Sequence, residues 1–412
     1  MSDKRMEAQQ AIDALLNIVK PVETEIIPLA DALGRVLAED MVAEYDIPPF
    51  DRSPFDGYAL RGEETEGATQ EHPAVFSITE DIPCGSMPTM PVEKGQAGKV
   101  STGAPMPEGT NTVIKYEETR FDEKTVSVFS YEKPGKSIIL RGEDAERGQL
   151  LAPKGTVVTP AYMGVLAGQG FASLRVYRPV IVSVLNTGSE LVQPGDPLPE
   201  GKIYNSNFYT IRGLLQTMNV DVRDAGLVQD DLETITDKVA GLLEESDLVI
   251  TTGGASVGDY DWALRSAEKM GARVLFCGAK IKPGGSFVTS EKDGKIIMSL
   301  SGNPGAAVDG LLKIGLPCIR KLCGYEKVMP RTMELFMEKD FRKTSDRLRL
   351  VRGKRVFRDG KVWFRAASAD RNSRLSPLVG CDVIVEIPPN AEPPKQGDLV
   401  QGFLVYETEG EE

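Results

Sequence analysis

Residues 178–187, Arg-Pro-Val-Ile-Val-Ser-Val-Leu-Asn-Thr, decide how this chain is read. From Val180 to Leu185 only Ser183 interrupts the apolar run. A strand with one wet face alternates polar and apolar residues, whereas a near-continuous run marks a strand covered on both faces. The turn Asn186-Thr187-Gly188-Ser189-Glu190 follows it. Onward, 205–218 (NSNFYTIRGLLQTM) reads as a helix with Asn or Ser at its cap, 220–228 (VDVRDAGLV) as a strand, and 230–246 (DDLETITDKVAGLLEES) as a helix. Next come a strand and turn at 247–254, a helix at 261–271, a strand and turn at 295–305, and a helix at 306–322. This alternation predicts an α/β fold with a doubly wound parallel sheet.

The flanks read differently. Residues 7–19 place Ile12, Leu15, Leu16 and Val19 on one helical face, and Pro21 ends that helix. Residues 23–43 read as a short strand, a helix and an extended exit, and 48–60 (PPFDRSPFDGYAL) as a loop entering a strand. Residues 74–142 alternate short β-prone runs with Pro and Gly turns, the pattern of a small β domain. At 148–170 come a strand and a short helix that starts at Pro160 and ends in glycine. Beyond Met329 short strands return, giving a C-terminal β-barrel or sandwich.

Composition narrows the chemistry. The 412 residues make room for roughly two to four domains. A net charge of −13 disfavours both a nucleic-acid binder and an anionic-membrane binder. No apolar run approaches the roughly 18 residues that cross a bilayer, and the charged, amphipathic N-terminus lacks a signal peptide's apolar core. A cytoplasmic protein is expected. None of the five cysteines forms a C-x-x-C pair, and His72 is the sole histidine, so a Ser-His-Asp triad and a His-ligated zinc are both disfavoured. Chemistry is left to carboxylates, hydroxyls, Lys and Arg, backbone amides and a hard metal.

Three loops at predicted carboxyl ends of strands suit that description. They are Asn186-Thr187-Gly188-Ser189-Glu190, Thr251–Asp261 (TTGGASVGDYD) and Ser301-Gly302-Asn303-Pro304-Gly305. Glycines such as Gly188, Gly253, Gly254, Gly258 and Gly302 let the backbone approach a phosphate, while Thr187, Ser189, Ser256 and Asn303 add polar groups. Pro304 stands in the last loop, ahead of the helix at 306–322. The sequences are neither a Walker A loop nor a dinucleotide fingerprint. Glu190, Asp230, Asp231, Asp259 and Asp261 stand among or beside these loops, and carboxylates beside a phosphate site point to Mg²⁺. Asp230 or Asp231 is equally readable as a helix cap. Lys280 and Lys282 precede Pro283-Gly284-Gly285 and offer charge to an oxyanion. Earlier loops bring Asp51, Arg52, Ser53 and Asp56, then Ser101, Thr102 and Gly103, then Arg141, Glu143 and Asp144.

The pieces PPFDRSPFDGYA, STGAPMPEG, RGED, NTGSEL, the paired Asp of VQDD, TTGGASVGDYDW, IKPGG and SGNPGAA occur in this order along nearly the whole chain. In them the sequence resembles the molybdopterin molybdenumtransferase family, the MoeA-like and gephyrin E-domain type. The resemblance implies insertion of molybdate into adenylylated molybdopterin with Mg²⁺-dependent release of AMP. It implies a homodimer whose site lies between the doubly wound domain of one subunit and the N-terminal loops of the other, with molybdopterin adenylyltransferase and molybdoenzyme maturation factors as partners. It implies a discontinuous domain of 1–50 and 143–178, a small β domain of 51–142, a doubly wound molybdopterin-binding domain of 179–328 and a C-terminal β-barrel domain of 329–412. Position by position, the family's functional residues match Asp56, Thr102, Asp144, Glu190, Asp230, Asp261 and Lys282. Glu190, Asp230 and Asp261 would take the metal and phosphates, and Asp56, Thr102, Asp144 and Lys282 the molybdate or pterin. The chain departs from the family at Gly278 and Gly285, where lysines are usual, at Ser301 and Gly305, and at Asn372-Ser373-Arg374, where a histidine is common. The departures keep open a divergent paralogue that holds pterin cofactor without turnover, or one that uses tungstate.

Overall fold

The computed structural model describes residues 5–254, 262–367 and 375–406. It divides into two compact units, one of Met1–Glu39, Lys154–Met163 and Ser173–Glu412, the other of Asp40–Pro153 and Gly164–Ala172.

The first unit holds a six-stranded sheet of β1 (Val180–Thr187), β2 (Val220–Val228), β3 (Leu248–Thr252), β4 (Arg273–Cys277), β5 (Val288–Lys292) and β6 (Lys295–Leu300), in the order β2-β1-β3-β6-β5-β4. Strands β2, β1, β3 and β6 are parallel. Both faces are covered, as the run at β1 requires. Val182, Val184, Ile250 and Met298 pack with Phe208, Ile211 and Leu311 on one face. Leu185, Val249 and Ile297 pack with Ile235, Val239 and Ala267 on the other. Strand order reverses between β1 and β3, and such a switch point opens a crevice at the carboxyl ends.

The sheet is mixed rather than wholly parallel, because β5 runs antiparallel to β6 and to β4. Strands β4 and β5 escaped the sequence reading, although Asp293-Gly294 is the dipeptide that turns a tight hairpin, with both residues at positive φ (53° and 81°). The helix expected within 23–43 is also missing. Thr24–Pro28 pairs with Ser173–Tyr177, and one short turn follows at Leu29–Asp31. Tertiary hydrogen bonds claim the rest: Gly34 N–H donates to Val158 O, Leu37 N–H to Thr156 O and Ala38 N–H to Arg175 O.

At the amino end of the sheet a half-buried clamp fixes β1 beside β3. Arg178 donates to both oxygens of Asp247 (2.7 and 2.8 Å), and Asp247 accepts the Ile181 N–H (2.8 Å). Farther along, β7 (Thr332–Met337), β8 (Leu348–Arg358), β9 (Lys361–Ala366), β10 (Val383–Ile387) and β11 (Leu399–Leu404) close a five-stranded barrel in the order β8-β9-β7-β11-β10 and back to β8. Leu335, Val351, Phe364 and Val385 fill it. The C-terminal domain is thus a barrel, not a sandwich.

The second unit is built on a sheet in the spatial order Thr112–Lys115, Gly57–Leu60, Gln96–Val100, Ala74–Ile82, Thr125–Val128 and Thr119–Phe121. Tyr58, Leu60, Phe76, Ile114 and Val126 form its core.

Candidate active site

In the first unit the predicted loops converge at the carboxyl edge of the sheet. The Gly188 N–H donates to Val228 O (3.1 Å), which fastens the loop after β1 to the end of β2. Glu190 and Asp230 each lie two residues beyond that bond. Both are exposed. Neither side chain takes part in an ion pair or hydrogen bond among the described residues. The Glu190 carboxylate folds back over Gly188, so that a Cβ there would lie 2.7 Å from it. Gly253 (φ +94°) leaves β3 so close to β1 that a Cβ would fall 2.2 Å from Thr187 O. Only glycine fits, and the approach seats the loops after β1 and β3 side by side. Gly253 N–H donates to Leu300 O (3.2 Å), bringing in the loop after β6.

A buried polar network holds these loops from behind. Asn186 donates from Nδ2 to Thr252 Oγ1 (2.5 Å), and Asn205 donates to Asn186 Oδ1 (3.1 Å). Asn207 donates to Gly302 O (3.0 Å), tying the helix after β1 to the Ser-Gly-Asn-Pro-Gly loop. From the barrel, buried Arg352 donates to both oxygens of buried Asp309 (2.8 and 2.6 Å) and to Gly305 O (2.5 Å). The sequence places Asn186 in the first loop but gives no sign of the roles of Asn205, Asn207, Asp309 and Arg352. Each acts on a loop contributed by a distant segment, and no local pattern marks such a bond.

Asp231 is the helix cap. Its carboxylate accepts the Thr234 N–H (2.8 Å) and the Thr234 hydroxyl (2.6 Å), and these bonds hold its pKa below the ordinary aspartate value. Asp230 is left without such work. Lys282 is exposed at the end of the short strand Ile281–Lys282, which pairs with β8, and the turn after it packs against the helix behind Pro304, where a Cβ on Gly284 would lie 2.8 Å from Ala306 O. Lys280 is paired with Glu7 (2.6 Å). The two missing lysines have a steric explanation. A Cβ at Gly278 would sit 2.5 Å from Gly285 O, and one at Gly285 would sit 2.4 Å from Ile281 O. The backbone fills the space that either side chain needs. Asp261, Ser256 and Gly258, together with Asp259 and Asn372-Ser373-Arg374, lie outside the described residues.

The second unit gathers its own predicted residues. Asp56 accepts the backbone N–H of Thr102 (2.7 Å) and its hydroxyl (3.1 Å). Backbone bonds place the segment around Arg52 between two others: Gly103 N–H donates to Ser53 O (2.8 Å), and Arg52 N–H to Ile139 O (2.9 Å). The 141–147 loop hangs on Asp51, which accepts the Arg141 N–H (2.7 Å), and on Asp46, which accepts the Arg147 N–H (2.8 Å) and the Arg141 side chain (2.5 Å). The Arg147 amide, with the Arg141 guanidinium, holds the Asp46 carboxyl below its ordinary range. Asp46 anchors that loop and was not singled out from sequence. Asp144 is exposed on it, and its carboxylate has no partner among the described residues.

An α/β sheet with a glycine-rich switch point, a small β domain and a C-terminal barrel define a class of multidomain enzymes that bind their ligand at strand ends. Family models match the MoeA N-terminal region (domain I and II) at residues 6–170, a probable molybdopterin binding domain at 183–321, and the MoeA C-terminal region (domain IV) at 335–404. The molybdopterin molybdenumtransferase of Staphylococcus epidermidis is 32% identical over 407 residues, 99% of this chain and 97% of that protein. The enzyme of the same name from Staphylococcus aureus strain MRSA252 is 32% identical over 404 residues, 98% and 96% of the two chains. The crystal structure of a molybdopterin biosynthesis moeA protein from Pyrococcus horikoshii OT3 superposes with a TM-score of 0.83 at 29% identity, covering 97% of this chain and all of that one. The chain belongs to the molybdopterin molybdenumtransferase family, transferases of molybdenum cofactor biosynthesis. Among the described residues no helix is long and apolar enough to cross a membrane.

Proposed function

We propose that this protein inserts molybdate into the dithiolene of adenylylated molybdopterin and releases AMP in a Mg²⁺-dependent step. The observation that carries the reading is the pair Glu190 and Asp230, two exposed carboxylates without partners among the described residues, beside a switch point lined with glycine and hydroxyl groups. Among the described residues no three acidic, His or Cys side chains converge as a metal cluster. The donor set nevertheless fits: carboxylate oxygens free of competing cations are what a hard divalent ion takes. Glu190 and Asp230 would hold Mg²⁺, with Asp261 as a third donor. When bound, the ion would neutralise phosphate oxygens as negative charge shifts onto the departing AMP.

The protein's own groups do the rest. Gly188, Gly253, Gly254 and Gly302 leave room for the phosphates to come close to the loops, where the hydroxyl and amide groups of Thr187, Ser189, Ser256 and Asn303 would take them. Lys282 offers a cation to the oxyanion. Asp56 and Thr102, locked to each other, and Asp144 supply the second half-site, in keeping with a homodimer that joins half-sites from two subunits. Molybdopterin adenylyltransferase would hand over the substrate and maturation factors would collect the product, in the cytoplasm.

Purified protein incubated with adenylylated molybdopterin, Mg²⁺ and molybdate should release AMP and yield cofactor that activates an apo-molybdoenzyme. Binding of the substrate without either product would replace this reading with a pterin-holding paralogue, which the closed backbone at Gly278 and Gly285 favours by thinning the cationic side. Tungstate in place of molybdate, in the same assay, tests the oxyanion.

A further inference from the structure

The N-terminal segment lies like a strap across the stretch that leads to Lys282. Met6 bridges Ala279 in parallel. Its N–H donates to Gly278 O (3.1 Å), and Lys280 N–H donates back to Met6 O (2.8 Å). Glu7 adds the ion pair with Lys280 (2.6 Å), which commits that lysine to holding the strap. The Met6 side chain packs on the main core. In extended chain successive side chains point to opposite sides, so Arg5 is turned the other way. Its stem rests on Gly278, where a Cβ would meet Arg5 Cγ at 3.1 Å and Cδ at 3.4 Å.

Gly278 (φ +87°) is thus closed on two sides, by Gly285 O and by the Arg5 stem. A side chain grown from the loop has no room there, and one delivered by the strap fills the space. The turn that follows Lys282 packs through Gly284 on Ala306 O and Gly310 N, at the start of the helix behind the Ser-Gly-Asn-Pro-Gly loop (a Cβ would lie 2.8 and 2.7 Å from them). The strap therefore brings a guanidinium to the stretch that bears Lys282 and braces that loop. A guanidinium stays charged at every physiological pH, and its fork of donors matches two oxygens of one oxyanion. A dianion such as molybdate asks for more than one positive charge in a chain whose net charge is −13. We infer that Arg5 is an oxyanion-binding residue that holds molybdate together with Lys282, supplying from the N-terminus the charge that the loop does not carry at Gly278. This rests on the proposed reaction and deepens it by naming a further residue of its oxyanion site.

Molybdate binding to the purified protein, read by calorimetry, and the molybdate KM of AMP release test it. Arg5→Gln should weaken molybdate binding and raise its KM by about tenfold, the worth of one charge-assisted hydrogen bond. The KM for adenylylated molybdopterin and the melting temperature should stay near their wild-type values. Arg5→Lys should recover most of the loss, because the charge is kept, but not all, because the fork is gone. Met6→Pro keeps Arg5 and removes the N–H given to Gly278, and it should reproduce the molybdate defect. A strap that only braces the fold would lower the melting temperature of Arg5→Gln and leave molybdate untouched. That result, or wild-type molybdate affinity in both Arg5→Gln and Met6→Pro, overturns the inference. AMP release whose molybdate KM ignores Arg5 overturns it while sparing the proposed reaction. Arg5-dependent molybdate binding in a protein that releases no AMP does the reverse.

Discussion

The two ends of the central sheet treat their carboxylates in opposite ways. At the amino end, Asp247 is half-buried and fully engaged by Arg178 and the Ile181 amide. Burial pushes its pKa up, but the Arg178 guanidinium and the Ile181 N–H outweigh that and leave it below the ordinary aspartate value. At the carboxyl end, Glu190 and Asp230 are exposed and have no partner among the described residues. A carboxylate whose lone pairs are all spoken for stabilises the fold. One whose lone pairs are unclaimed, beside a loop held rigid from behind, is placed for a ligand. The contrast sharpens between neighbours, since Asp231 is a cap and Asp230 is not.

The largest expected effect is at the unengaged end. Asp230→Ala should lower the rate of AMP release by about a hundredfold or more, the scale on which loss of one preorganised electrostatic group acts. Its melting temperature should stay at the wild-type value, because the Asp230 carboxylate has no hydrogen-bond or ion-pair partner among the described residues. An active Asp230→Ala enzyme would break the comparison, and an unstable one would show that Asp230 is structural after all.

Next comes the amino end. Asp247→Asn breaks a half-buried ion pair that also accepts an amide, and should cost about 2 kcal/mol of stability in chemical denaturation. Turnover should be unchanged in the fraction that remains folded. The pH dependence follows from the sign of the shift. Folded Asp247 has a lower pKa than unfolded aspartate. Its contribution is therefore present above the unfolded value, about 3.9, and disappears as pH falls through the folded one. The stability of Asp247→Asn should accordingly fall less steeply on acidification than that of the wild type. Identical acid limbs would show that the clamp contributes nothing.

The same division explains how much was legible. The apolar run at Val180–Leu185 announces a strand buried on both faces, and the glycine turns at 186–190 and 301–305 are local signals, so the strand and the place of both turns at strand ends could be read directly. The hairpin of β5 and β6 was signalled by Asp293-Gly294 and overlooked, because Val288–Lys292 ends in charged residues and lacks a strand's usual apolar pattern. The turn at Leu29–Asp31 looked helical, and partners more than a hundred residues away pulled the chain after it into extended pairing. Arg352 reaching Asp309 and Asp46 holding the 141–147 loop are matters of tertiary placement. Spacing along the chain carries none of that information.

The smallest effect separates the neighbours. Asp231→Ala removes two hydrogen bonds to Thr234 at the start of the helix Leu232–Glu245. Its melting temperature should fall by much less than that of Asp247→Asn, since an exposed cap shares its work with water. The hydroxyl and amide of Thr234 hold its pKa down. This contribution, too, is present above the unfolded aspartate pKa and lost as pH drops through the folded value. AMP release should stay near the wild-type rate, because Asp230 keeps its place after β2. If Asp231→Ala instead loses activity while Asp230→Ala keeps it, the roles are exchanged, and the metal-facing carboxylate must leave the Thr234 cap when ligand binds.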